Sequence, residues 1–195
     1  MRRIRDRRVL DAMEAVPRER FVPEAYRPFA HCDQPIPIGQ GQTTSQPYVV
    51  AFSAEALELA GAERVLEVGS GSGYMAAVLS HLAAEVYGIE IEPELHQRSV
   101  AVISTLGLAN VHLRQGDGYV GWPEAAPFDA ILLSCQAVQV PPPLWEQLAE
   151  GGRLLYPKGA AALGQMLVLV TKTARGPRER SLAPVVFVPM RRQAG

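Results

Sequence analysis

The sequence predicts an α/β protein: a doubly wound, mostly parallel sheet of seven strands, preceded by an N-terminal helical and extended segment. Three observations carry that expectation. From Glu63 onward short apolar strand candidates alternate with helical stretches, and one of them, VLEVGSGSGY, runs from an apolar strand through a glycine-rich turn straight into a helix. At 195 residues the chain is most simply one domain, large enough to bury roughly 70% of its unfolded surface without disulfide or metal staples.

The elements follow in order. Val9, Leu10, Met13 and Val16 lie at helical spacing, so a short amphipathic helix opens the chain and ends before Pro17. Six of the 16 prolines fall from Pro17 to Pro47, and that stretch sustains neither a 3.6-residue nor a two-residue period, so it reads as extended and turn-rich. Tyr48 to Leu59 reads as a helix with Pro47 at its first position. Strands are expected at 64–68, 85–89, 111–114, 130–133, 153–156, 166–171 and near 185–188. Helices are expected at 74–82, at 93–106 before Gly107, and at 143–149 before Gly151 and Gly152. Strands spaced by helices call for a mostly parallel sheet covered on both faces.

Charge and composition exclude several classes. With 19 basic residues against 20 acidic, a net charge of -1 and basic clustering only in Arg2–Arg8, the chain is not expected to bind nucleic acid, because duplex binders neutralise phosphates with clustered cations. There is no apolar run of 18 residues, and charges interrupt the N-terminal stretch, so we expect a cytoplasmic protein with no membrane span. Cys32 and Cys135 form no CxxC pair and read as reduced thiols. His31, His81, His96 and His112 lack ligand spacing, so no metal is expected.

The glycine loop is the strongest local signal. Gly69, Gly71 and Gly73 allow a tight turn at the carboxyl end of a strand and let a ligand approach backbone N–H groups. Glu90 follows the next strand, 21 residues after Gly69, where a carboxylate can accept from both hydroxyls of a ribose. A dinucleotide fold shares both features. Here, however, Tyr74 stands where the third glycine of GxGxxG would fall, and Glu67 precedes the loop. A carboxylate there repels a pyrophosphate and suits a cationic, phosphate-free nucleoside such as S-adenosylmethionine. Asp117, in RQGDGY, follows the third strand, where it or the neighbouring backbone can reach an adenine amino group. An NAD-dependent oxidoreductase stays open as an alternative of another class.

Beyond these signals, the chain resembles the protein-L-isoaspartate O-methyltransferases over nearly its whole length. The resemblance is carried by VPRERFVPEAYRPFA, DQPIPIGQGQTTSQPYVVA, RVLEVGSGSGYMAAVLS, GDGYVGWPEAAPFDAI, GGRLLYP and GQMLVLVTKT, with PIPIGQGQTTSQP the most specific. It implies the class I, Rossmann-like methyltransferase sheet with its last strands antiparallel. It also implies a single domain of residues 1–195, with 1–62 on the substrate side and 63–195 binding the cofactor. S-adenosylmethionine is the implied cofactor, with S-adenosylhomocysteine as product, and isoaspartyl-containing peptides and proteins are the implied partners of a chain taken as a monomer. The cofactor residues it implies are Glu67, Gly69, Ser70, Gly71, Glu90, Asp117, Gly118 and Gln165. It implies Ser45 as the active-site serine, with Ile38, Thr44 and Gln46 beside it on the substrate.

Two places depart from the family pattern. LLSCQAVQVP puts Cys135 and Gln136 where small residues usually line the substrate side, and Lys158 replaces a valine. Both raise the alternative of a family member acting on another peptide or small-molecule acid. Ser45 itself reads either as a helix cap before Pro47 or as a donor to the acceptor. No G-x-S-x-G elbow surrounds it, which argues against an acyl-transfer nucleophile. A single neutral hydroxyl can orient a carboxylate whose charge disappears on methylation, whereas a Lys or Arg would hold it too strongly.

Overall fold

The computed structural model describes residues 3–160 and 164–192. α1 (Arg7–Ala15), a hairpin of β1 (Ile36–Gly39) and β2 (Gln42–Thr44), and α2 (Pro47–Ala56) precede the main sheet. That sheet and its helices run β3 (Arg64–Val68), α3 (Tyr74–Ser80), β4 (Glu85–Glu90), α4 (Pro93–Thr105), β5 (Val111–Gln115), β6 (Phe128–Leu133), α5 (Pro142–Gln147), β7 (Leu148–Ala160), β8 (Gly164–Thr173) and β9 (Gly176–Val185).

The strands lie in the order β5-β4-β3-β6-β7-β8-β9. The first five are parallel, and β8 and β9 are antiparallel to their neighbours. From β3 the chain steps outward to β4 and β5, then returns to β6 on the other side of β3. That reversal opens a crevice beyond the carboxyl ends of β3 and β6, where open α/β sheets bind ligands.

Both faces of the sheet are covered. Val65, Val86, Ala130, Leu132 and Leu155 pack against Val78, Leu79 and other residues of α1 to α4, while Leu66, Val68, Ile131, Leu133 and Leu154 pack on the opposite side with Leu144 of α5. The two-residue alternation sends neighbouring strand residues to different layers, and burial on both faces explains why the central strands read as nearly continuous apolar runs.

Two strands differ from the sequence expectation. β7 begins five residues earlier than expected, and the last strand is 176–185 rather than 185–188. Residues GPRERSLAPV carry charges and a mostly exposed pattern because β9 is an edge strand, so hydrophobic periodicity could not reveal it.

The proline-rich segment forms two 3-10 turns, Arg18–Phe21 and Glu24–Phe29, followed by the β1–β2 hairpin. Arg18 organises it. Its guanidinium donates to the carbonyls of Ala30, Gln34 (3.2 Å) and Ser45 (2.9 Å), joining three stretches that share no ladder.

Leu66 is completely buried in the central strand. Leu66→Ala is expected to lower the unfolding free energy by about 2–5 kcal/mol, read as a fall in the denaturation midpoint at unchanged m-value; a loss under about 1 kcal/mol would contradict the packing described.

Candidate active site

The turn after β3 is built by its glycines. Gly69, Gly71 and Gly73 have φ of 79°, 54° and 85°, a region that side-chain-bearing residues adopt at a cost. The N–H groups of Gly69 and Ser70 donate to the Ile89 carbonyl (2.8 and 3.0 Å), which ties the turn to β4. Glu90, at the end of β4, locks it from the side: one carboxylate oxygen accepts from Gly71 N–H at 2.7 Å and the other from Glu92 N–H at 2.9 Å. Each oxygen keeps a lone pair for a further donor.

Glu67 is 1% exposed. Its Oε1 accepts from the Ser134 hydroxyl at 2.7 Å, and its Oε2 is buried with no partner among the described residues. Burial pushes this carboxyl up to about 8; the Ser134 bond and the nearby Ala76 backbone N–H, which stops short of hydrogen-bond geometry to Oε2, oppose the rise, and the negative charge of Glu90 adds to it. At neutral pH the group holds its proton. An unpaired buried oxygen of this kind suits a cationic donor, which would ionise the carboxyl and satisfy Oε2 together.

Two adjoining clefts open beyond the ends of β3, β4 and β6. The first, about 480 Å³, is lined by Thr44, Ser45, Glu67, Ser70, Tyr74 and Phe187 among others. The second, about 550 Å³, is lined by Ile38, Glu90, Gly116, Gly118, Cys135 and Met190 among others. Thr43, Gly69, Gly71 and Ser134 face both. Gly118 is required by close approach, because a Cβ there would run into the Val68 side chain and lie 3.2 Å from Met190 Cε.

The structure therefore brings Ser45, Thr44, Glu67, Gly69, Ser70 and Gly71 together at the first cleft, and Ile38, Glu90 and Gly118 at the second. Three of the expected site residues lie outside both linings. Asp117 turns its carboxylate onto Tyr119 N–H at 2.8 Å, so Gly116 and Gly118, its neighbours, face the cleft. The Gln165 amide pairs in both directions with the Phe187 backbone, donating at 2.9 Å and accepting at 2.7 Å, and so holds a residue that lines the first cleft. Gln46 occupies the capping position of α2 without a side-chain bond.

Because Gln46 takes that place, Ser45 is not the helix cap. Its carbonyl accepts from Arg18, and its hydroxyl makes no hydrogen bond among the described residues. Of the residues that depart from the family pattern, Gln136 and Lys158 line neither cleft. The Gln136 amide donates to the Gly159 carbonyl, and Lys158 pairs with Glu179 at 2.7 Å. Cys135 faces the second cleft beneath Gly69, where burial pushes its thiol up to about 12.

Sequence reasoning missed Ser134 and the segment 187–191. Ser134 follows Leu133, the parallel partner of Val68, so only the strand register reveals that it meets Glu67. The C-terminal segment is held by Gln165, by Gln136 backbone bonds to Val188 (2.7 Å) and Met190 (2.9 Å), and by the Arg191–Glu92 pair at 2.6 Å. None of these contacts is local in sequence.

Comparison with known proteins agrees with this geometry. The family described as protein-L-isoaspartate(D-aspartate) O-methyltransferase matches residues 1–195. A protein-L-isoaspartate O-methyltransferase 2 of Anaeromyxobacter sp. (strain Fw109-5) is 69% identical over 98% of this chain and 79% of its own length. A protein-L-isoaspartate O-methyltransferase of Opitutus terrae is 55% identical over 98% of this chain and 82% of its own. Among solved structures, a protein-L-isoaspartate O-methyltransferase superposes with a TM-score of 0.87 at 28% identity; 95% of this chain is matched, and it spans 61% of that longer chain. A Plasmodium falciparum structure ascribed to the same family, in complex with S-adenosyl-L-homocysteine, superposes with a TM-score of 0.84 at 26% identity, covering 97% of this chain and 93% of its own. A sheet of this order, a crevice at its reversal and a family match from end to end lead to one conclusion: the chain belongs to the protein-L-isoaspartate O-methyltransferase family.

Proposed function

We infer that the protein transfers a methyl group from S-adenosylmethionine to the free carboxylate of L-isoaspartyl residues in proteins and peptides, a repair reaction. The observation that carries this reading is a single cleft holding both a buried, half-unsatisfied Glu67 carboxyl and an unengaged Ser45 hydroxyl. One suits the cationic end of the cofactor and the other an anionic acceptor. Family membership sets aside the nicotinamide-dependent alternative. The alternative of another carboxylate acceptor keeps only one of its three motives, since Gln136 and Lys158 face neither cleft and Cys135 lines the second.

S-adenosylmethionine supplies, when bound, a methyl group already activated by a sulfonium. Glu67 would take its ammonium, releasing a proton to solvent, while Ser134 keeps the carboxyl in place. Gly69, Ser70 and Gly71 would cradle the adjoining chain, Glu90 would accept from the ribose hydroxyls, and Gly116 to Gly118 would border the adenine, with Asp117 shaping that turn and Gln165 fixing Phe187. Ser45 would donate to one oxygen of the acceptor, with Ile38, Thr44 and Gln46 on the polypeptide side. An isoaspartyl carboxylate is already anionic at neutral pH and needs no general base. Val49, Val50, Leu132 and Phe187 give the first cleft an apolar wall, which would leave less water beside a bound acceptor. A drier site favours a reaction that consumes opposite charges.

We further propose that residues 1–195 act as one unit, with 1–62 on the acceptor side and 63–195 on the cofactor side. We place the protein in the cytoplasm as a monomer without nucleic-acid or membrane partners. A net charge of -1 supports the part of this that leaves out nucleic acid, and no described helix is long and apolar enough to cross a membrane.

Methyl incorporation is expected into an isoaspartyl peptide and not into the matching aspartyl peptide; the reverse, or neither, contradicts the reading. Ser45→Ala should lower kcat/KM by about 10- to 100-fold, the worth of a hydrogen bond to a charged group, with cofactor affinity unchanged. Glu67 gives a pH prediction. Its proton leaves near 4.5 in the unfolded chain and near 8 in the fold, so the native state holds the extra proton between those values and ligand-free stability falls as pH rises across them. Glu67→Gln should flatten that slope in melting curves and weaken cofactor binding by about tenfold or more. Calorimetry of the wild type at pH 7 in buffers of different ionisation enthalpy should show about one proton released per cofactor bound.

A further inference from the structure

Arg18 is 2% exposed and is the largest of the fully buried side chains. Its guanidinium donates to the backbone carbonyls of Ala30, Gln34 and Ser45, and its Nε has no hydrogen-bond partner among the described residues. Among the described residues no carboxylate forms an ion pair with it. Asp33 acts on it from a distance, with one carboxylate oxygen occupied by the Tyr48 N–H at 2.8 Å. Burial pushes the Arg18 group down from its ordinary value, yet an arginine keeps its charge inside a protein.

A buried cation held by carbonyl dipoles, with Asp33 only at a distance and no carboxylate in an ion pair, is costly to keep. Its position gives it a use. Nη2 lies 2.9 Å from the Ser45 carbonyl, and the guanidinium stands 5.6 Å from the Tyr74 ring centroid. Both Ser45 and Tyr74 line the first cleft, which also holds Glu67. One wall of that cleft is thus backed by a fixed positive charge, while another carries the carboxyl suited to a cation.

We propose that Arg18 is a positioning residue for the acceptor: from behind Ser45 and Tyr74 its unneutralised charge draws an anionic side-branch carboxylate into the first cleft and discriminates against an uncharged one, without bonding to it. This rests on the reading of the protein as a carboxylate methyltransferase. The intervening layer matters. A guanidinium in direct contact would stabilise the acceptor anion most strongly before reaction, when its charge is greatest, and so slow the transfer. Set back by one layer, in surroundings of low dielectric, the charge still attracts.

The test compares an isoaspartyl peptide with the same peptide bearing a carboxamide in place of the free carboxyl. Dissociation constants are measured by calorimetry on the protein loaded with S-adenosylhomocysteine, for wild type, Arg18→Lys and Arg18→Gln. The wild type should prefer the acid by about tenfold or more. Arg18→Lys should keep most of that preference, and Arg18→Gln should reduce it to within about twofold while S-adenosylhomocysteine affinity holds. A purely structural arginine would weaken both peptides alike and leave their ratio unchanged, which would overturn the proposal. Should Arg18→Gln fail to fold, the wild type decides alone. A buried charge is poorly screened, so the preference should survive about 0.5 M salt; its absence at low salt, or its collapse at high salt, overturns the proposal. The outcomes separate from those of the parent reading. Failure to methylate the isoaspartyl peptide refutes carboxylate transfer, whereas methylation without acid-over-amide preference refutes the role of Arg18 alone.

Discussion

A carboxyl group sealed into the end of the central strand, with one oxygen bonded to Ser134 and the other left open, is the constraint on which the upper half of this molecule depends. Glu67 cannot ionise cheaply where it sits, 1% exposed on a strand paired on both sides. The surroundings answer this demand in layers. The glycine turn wraps over it, Glu90 clamps that turn through Gly71, and the two clefts meet at Gly69, Gly71 and Ser134. The sheet supplies rigidity, and the reversal of strand order supplies the space.

What could be read from the sequence follows the range of the interactions. The glycine turn, Glu67 and Glu90 were legible because strand, turn and helix are consecutive, and the distance to the next strand end is set by one βαβ unit. The parallel core was legible because burial on both faces writes unbroken apolar runs. For Asp117 the sequence left carboxylate and neighbouring backbone open; the carboxylate closes the turn on Tyr119, and the flanking glycines face the cleft. Gln165 was expected at the pocket and stands one residue behind it, holding Phe187. Ser134 and the 187–191 segment were invisible to a linear reading, since their places follow from strand register and from contacts with Gln136, Gln165 and Glu92. The edge strand β9 escaped because its charges erase the period that marks buried strands.

The proline-rich stretch before the sheet shows a different kind of order. It has little ladder to hold it and carries no continuous apolar face, so one arginine gathers it by three carbonyls. The same contacts fix the backbone of Ser45 and leave its hydroxyl unengaged, while Gln46 and Pro47 begin the next helix. Structural anchoring and presentation of a polar group thus come from the same few bonds. Of the residues that depart from the family pattern, Gln136 and Lys158 stand outside the clefts, while Cys135 lines the second beneath the turn with its thiol held protonated by burial.

The C-terminal segment beyond β9 contributes the last wall of the second cleft, through Val188, Pro189, Met190 and Arg191. During synthesis the parallel strands and the glycine turn emerge long before it does. The second cleft is therefore completed only when residues 187–191 have emerged and docked on Gln136 and Gln165, so a ligand held there would report on the docking of that segment.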